Sequence, residues 1–329
     1  MPRAWVDALL KAGAVPASYV PEASLGRTDL EGRVEVRLVE DATLSVRALA
    51  GVAPRAPAEV AFLDGVQRWR VVGYSGITPI VLGYVAAAVR RRGADRRLRT
   101  THQEVRELAI TCRELLTGAQ RRALDVPGLE VVDLPAAELG QPVRALEAAR
   151  LAVERERVRV EKAVADRWVD VAGSHEWLVV DGVLSEHARL AGHARALGVV
   201  KSHGAQYFEG DELQRALTLP AGCRTSVFQP ARRGARQDVY SWYLRLWPWE
   251  GNDLLYGLLR IEAPASGGTL GAASGLSAWL VRERAPLATP DARWDRLLYP
   301  VHDVETYLKA RIPRDFVPAS ASRLPSTGT

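Results

Sequence analysis

Cysteine is almost missing from this chain of 329 residues, which carries only Cys112 and Cys223, far apart and outside any CxxC spacing. Two distant thiols can neither staple a small fold nor build a thiolate zinc site, and they suit a reducing compartment. The six histidines show no HxxxH spacing, which removes the common helical zinc signature. No Walker-type phosphate loop, catalytic-cysteine motif or Ser-His-Asp order is present either. The longest apolar run, residues 77–89, falls short of the roughly 20 residues that cross a bilayer. Asp7 and Lys11 interrupt the first apolar stretch, so residues 2–13 read as an amphipathic helix rather than a signal peptide. Together these absences predict a soluble, cytoplasmic protein with no membrane partner.

What is present is an ordinary globular balance, 47% hydrophobic and 25% charged residues, enough for a normal core. The net charge is +5, carried almost wholly by arginine, since lysine occurs only at 11, 162, 201 and 309. Such a surplus makes an acidic partner plausible, although an arginine skew also follows genomic base composition.

Strand-like patterns occupy 34–39 and 44–49, and a buried-strand pattern over 59–64 ends in Asp64-Gly65. Residues 67–74 and 78–89 read as the next two strands, completing an antiparallel meander. Helical patterns are expected over 101–124 and 141–170, with a short strand at 128–134 between them. A strand at 177–180 ends in Asp181-Gly182, and a helix is expected over 185–197 with Ser185 as its N-cap. A short strand leads into Lys201, a helix follows over 205–217, and strands follow near 224–228, 238–247 and 254–262. Helices close the chain at 274–285 and 302–311. Three strands, helices, then alternating strands and helices resemble an RNase H-like mixed sheet, an antiparallel meander plus parallel strands flanked by helices. The expected organisation is an N-terminal helix and irregular extension (1–57), the main α/β domain with helical and β insertions (58–312) and a Pro/Ser-rich tail (313–329).

Asp-Gly at the end of an apolar run is a strong hairpin signal, and for Asp64 alone that reading is favoured. Asp181 instead leads into a helix, where open α/β sheets commonly place ligand groups. The helix between them carries Glu147, Glu154, Glu156 and Glu161 among arginines. Ion pairs at i,i+3 and i,i+4 on a solvated face account for most of these. Glu154 and Glu161, seven residues apart, share a partly apolar face with Val158 and Ala165. Two strand aspartates and a helix glutamate form a hard-oxygen set suited to Mg²⁺ or Mn²⁺. Two such ions about 4 Å apart activate water and stabilise the leaving oxygen of a phosphodiester.

With residues 62–65 (FLDG), the glutamate helix near 161, residues 178–184 (LVVDGVL), 198–201 (GVVK) and Tyr299-Pro300 with His302, the chain resembles the NurA nuclease family. The resemblance spans about residues 58–311. It implies an RNase H-like fold and a Mn²⁺-dependent deoxyribonuclease, a 5′–3′ exonuclease with endonuclease cutting as a further outcome, acting in DNA end resection. It also implies a homodimer working with a HerA-type hexameric ATPase. Asp64, Glu161 and Asp181 would hold the metal, with Glu154 the alternative to Glu161, and Lys201 would contact the scissile phosphate. Tyr299 and His302 would be catalytic, although His302 comes sooner after Tyr-Pro than in the family, and Tyr307 stands near the expected histidine position.

For DNA binding, Arg90, Arg91, Arg92, Arg96 and Arg97, with neighbouring Arg99, form the densest basic cluster, and Arg232, Arg233 and Arg236 a second. Solvated loops are the plainer account of both. Trp242, Tyr243, Trp247 and Trp249 could stack on unpaired bases, but their alternation fits a two-faced strand, with most of the tryptophans in the core or a dimer interface. The N-terminal helix is expected to dock on a dimer mate or the ATPase, with intramolecular packing the alternative. Two other functions compete: an actin-like-sheet ATPase or phosphotransferase, whose loops need further Gly or Thr that is lacking here, and a non-catalytic regulator of a DNA translocase.

Overall fold

Three long strands organise the fold: β4 (Glu59–Ser75), β5 (Thr78–Arg92) and β6 (Leu98–Thr111). In the computed structural model, which describes residues 4–16, 32–136, 141–173, 175–231, 234, 237–285 and 294–316, they form an antiparallel meander. The apolar run at 77–89 becomes β5, buried on both faces from Thr78 to Val89, because a central strand has neither side turned to water. Among the described residues, no helix is long and apolar enough to cross a membrane.

Two expectations change in this region. The pieces at 59–64 and 67–74 are one 17-residue strand, so Asp64-Gly65 lies inside a ladder, with Asp64 opposite Ala88 and Gly65 opposite Ala87. The first part of the expected 101–124 helix is β6 instead, followed by a 3₁₀ turn and the short helix α2 (Gly118–Ala123). Pairing with β5 decides this, while the polar side chains of β6 meet charged groups of the next helix: Glu104 with Arg167 (2.7 Å) and Arg106 with Glu156 (3.8 Å).

That helix, α3 (Pro142–Val171), begins with Pro at its first turn, where a missing N–H costs nothing. Its buried stripe of Ala145, Ala149, Ala152, Val153, Val160, Val164 and Trp168 lies on the core face formed by Leu63, Val71, Val85 and Leu108. Alanines on the helix let it approach the strands closely. The other face of the sheet carries Phe62, Val66, Leu82 and Ala86, covered by α6 (Gly267–Glu283) and α7 (Tyr299–Lys309).

Beyond the meander, β8 (Glu176–Asp181) runs parallel to β4, and β9 (Ala196–Val200) parallel to β8. β13 (Leu258–Pro264) joins β9 antiparallel and β12 (Val239–Arg245) follows it. The described strands form one 13-stranded mixed sheet, with the main path β2-β11-β12-β13-β9-β8-β4-β5-β6-β7. Here β2 is Val36–Leu38, β7 Leu129–Asp133 and β11 Phe228–Pro230. The helix expected at 185–197 shrinks to a 3₁₀ turn and a four-residue helix, α4 (Ala188–Ala191). Ser185 is buried in that turn and its N–H donates to Glu262 (2.9 Å). The N-terminal helix α1 (Ala4–Lys11) packs inside the chain: Trp5 and Leu9 are buried in the core beneath it, and β1 (Val15–Pro16) pairs with β4. Trp242 is likewise a core residue, its indole N–H bonded to Ser277 (2.8 Å).

Candidate functional site

The site forms where two parallel strands part. β4 and β8 are paired from Glu59↔Glu176 to Leu63↔Val180 and no further. The next residue on each strand is an aspartate, Asp64 and Asp181. Asp181 is still held on its other side, opposite Val199 of β9. Both belong to the face that carries Phe62 and Val179, because side chains alternate along a strand. Gly182, with φ +136°, then turns the chain away from the sheet, a conformation that suits glycine.

Glu161 approaches the same stretch of β4 from α3, on the opposite face of the sheet, the one that carries Leu63 and Gly65. A Cβ on Gly65 would stand 2.8 Å from both Cγ and Cδ of Glu161, so the carboxylate arm lies directly over the glycine. Gly65 therefore leaves room for that arm and does not mark a turn. Glu154 does not share this position: it is two helical turns away, about 10 Å, 44% exposed and paired with Arg150 at 3.1 Å.

Electrostatics make the cluster strained in its charged form. Asp64 is 7% exposed and Glu161 6%. Burial, then the neighbouring Asp181 charge, push the Asp64 carboxyl well above the usual carboxylate range; Glu161 and Glu305 add to this and Lys201 opposes it. Burial also raises Glu161, against the lowering effect of Arg157. Asp64 accepts a bond from the Gly65 N–H (2.7 Å). Two cations face the other carboxylates. Lys201, just past β9, donates to Asp181 at 2.7 Å. Arg157 is paired with Glu161 and also donates from Nε to Gln67 (3.2 Å).

Asp64, Asp181 and Lys201 thus share one face at β4, β8 and the end of β9, while Glu161 comes to β4 from the other. Their donor chemistry suits a hard divalent cation, and a dication would relieve the mutual repulsion of buried carboxylates. Among the described residues, however, no three His, Cys, Asp or Glu side chains are gathered ready to hold one ion. Glu161 and Asp181 are turned to their cationic partners instead.

The C-terminal residues divide. Tyr299 starts α7 and is 59% exposed. His302 lies 3.6 Å from Glu305. Glu305, which the sequence reading passed over, shares a stripe of α7 with Val301, Val304 and Leu308, and also pairs with Lys309 at 2.7 Å. Its i,i+4 relation to the core-facing Val301 was the signal that could have revealed it. Tyr307 is structural: its hydroxyl donates to Gln103 (2.7 Å) and its ring lies under Arg90 and Arg311.

The basic cluster does not join this site. Arg90 is bound to Asp303, Arg91 to Glu59 (3.0 Å) and Glu176 (3.2 Å), and Arg92 to Glu283 through two bonds of 2.7 and 2.8 Å. Glu176 opens β8 whereas Asp181 ends it, so Arg91 stands about 17 Å along the strand from Asp181. Arg96 and Arg97 are exposed on the β5–β6 turn. Arg232, Arg233 and Arg236 lie outside the described residues. Compared with family models, the chain matches none, and it matches no curated protein.

Proposed function

We propose that the chain is a divalent-metal-dependent deoxyribonuclease with Asp64, Glu161 and Asp181 as its acidic centre. The observation that carries this reading is the pair of aspartates where β4 leaves β8, with the Glu161 arm packed on Gly65 from the other face. Burial and neighbouring carboxylates raise both Asp64 and Glu161, and a bound cation would offset that repulsion. Strand order supports the RNase H-like reading: β6-β5-β4-β8-β9 is an antiparallel meander followed by two parallel strands, with α3 entering before β8. Phosphodiester hydrolysis is the chemistry that such an acidic set suits.

Mn²⁺ or Mg²⁺ would supply an activated water and neutralise charge on the phosphate. Asp64, Glu161 and Asp181 would hold it, after Glu161 and Asp181 turn from Arg157 and Lys201. Lys201, released from Asp181, would then be free to take a phosphate oxygen. Tyr299, exposed at the start of α7, and His302 beside Glu305 are the α7 groups available to the DNA. The resemblance to NurA extends the proposal to end resection, a homodimer and a HerA-type ATPase. Since α1 packs within the chain, those contacts belong on other surfaces.

One observation favours a second reading, a non-catalytic partner of a translocase: two of the three carboxylates already have cationic partners. Calorimetry with Mn²⁺, joined to a cleavage assay on labelled single- and double-stranded DNA, separates the two. The nuclease reading expects metal binding and cleavage in the wild type, with both lost in Asp64→Ala and Asp181→Ala variants that remain folded. Cleavage retained in either folded variant refutes the assignment.

A further inference from the structure

Independently of the nuclease reading, we propose that the cavity behind the turn after Asp181 is a binding site for one ordered water molecule, which bonds the buried Glu262 carboxylate and pins that turn to the β11–β13 wing of the sheet.

The turn starts over a glycine. A Cβ on Gly198 would stand 2.8 Å from the Gly182 carbonyl oxygen and 2.8 Å from the Leu184 nitrogen, so residues 182–184 lie directly on β9. Glu262 of β13 is level with Gly198 and accepts the Ser185 N–H at 2.9 Å. Gln237, just before β12, donates its N–H to the Ser185 carbonyl (2.8 Å). The chain leaving Asp181 is therefore seated on β9 and fastened by β13 and the approach to β12.

Glu262 is 2% exposed, and a buried carboxylate is costly unless it is paired and its lone pairs are used. Arg260 supplies the opposite charge, donating to Glu262 while its guanidinium lies 4.9 Å from the centre of the Tyr207 ring. With the Ser185 N–H, that fills two of about four acceptor positions on the carboxylate. Beside it is a cavity of about 20 Å³, walled by Ser185, Tyr207, Gln237 and Glu262 on its polar side and by Val34 and Val239 among its apolar residues. A water molecule needs about 10–15 Å³ and two to four polar partners. The volume suits one water and excludes an organic ligand, and the polar wall carries a carboxylate, two hydroxyls and an amide. Cavities that stay dry are apolar throughout, which this one is not. A water here donates to Glu262 and joins residues 185, 207, 237 and 262, which no stretch of local sequence brings together.

The test uses the full chain. A high-resolution crystal structure, with water-to-methyl NOEs at Val34 and Val239 as the reading in solution, should show one ordered water within hydrogen-bond distance of Glu262 and of at least one of Ser185, Tyr207 and Gln237. A cavity that is dry by both readings overturns the proposal. Val34→Ile and Val239→Ile each add one methylene to the apolar wall, from different strands. If water is inside, the methylene expels it and Glu262 loses a donor, so the urea midpoint should fall and exchange of the Ser185 amide should quicken by about tenfold. If the cavity is dry, the methylene fills space and the midpoint should rise. A midpoint that rises or stays unchanged in both variants overturns the proposal, and if one variant does not fold, the other decides.

Discussion

Replacing Gly65 with alanine tests the central contact of the site. The added Cβ would lie 2.8 Å from two carbons of Glu161, about half an ångström inside even a tight ordinary contact. Glu161 belongs to a helix packed along its length, so its arm must move or the strand must shift. Overpacking of this kind costs about 1–3 kcal/mol. Alanine also lowers the entropy of the unfolded chain, which offsets about 0.4–1 kcal/mol. The net loss should be about 1–2 kcal/mol, read as a shift in the urea midpoint at unchanged slope. The same displacement should weaken Mn²⁺ binding in calorimetry. The decisive comparison is made in a Glu161→Ala background, where the obstructing arm is absent: there Gly65→Ala should be neutral or stabilising. An equal loss in both backgrounds would show that the strand itself, not Glu161, demands glycine, and the close-approach argument would fail.

Asp64→Asn should be more stable than wild type at pH 7 in metal-free buffer. Burial and Asp181 raise the folded carboxyl above its ordinary 3.8, so the charged form weakens the fold as pH rises from there through the folded pKa; the two proteins should converge below that range. Equal unfolding midpoints at pH 7 would contradict this, whereas added Mn²⁺ should stabilise the wild type alone. His187 and His203 act in the opposite sense. Burial holds both near 4 instead of 6.5, in His203 against the raising effect of its bond to the Leu258 carbonyl (3.1 Å). The stability they contribute is complete above pH 6.5 and lost as pH falls towards 4, so His203→Gln should flatten the pH dependence across that window; an unchanged slope would count against a neutral buried imidazole. Arg92→Gln should cost about 1 kcal/mol, since Glu283 keeps only its bond from the Trp279 indole (2.7 Å), yet leave DNA affinity unaltered. Arg96→Glu with Arg97→Glu should change neither stability nor DNA affinity by much. A clear loss of DNA binding in either variant would place the DNA path at the β5–β6 end of the sheet.

The strands that the sequence revealed well are those with local signals. Residues 60–63 and 79–89 are apolar because neighbours cover both faces, and 177–180 is a compact apolar run. β6 was hidden because its polar half gets its partners from α3, at Arg167 and Glu156, and its backbone partners from β5. No window of local sequence contains those residues. The arginine cluster misled for a related reason: Asp303, Glu59, Glu176 and Glu283 meet it only in the folded chain.

The sequence by itself determined the residue types of the candidate site, two Asp-Gly pairs and a glutamate helix between them, because chemistry is written in residue identity and strands in local hydrophobic pattern. It could not distinguish Glu161 from Glu154, since both occupy one helical face and only the position of α3 along β4 selects between them. It could not show that Asp64-Gly65 is the middle of a strand rather than its turn. Tertiary structure supplied both facts, by laying Glu161 rather than Glu154 on Gly65 and by ending the β4–β8 ladder where two aspartates come level.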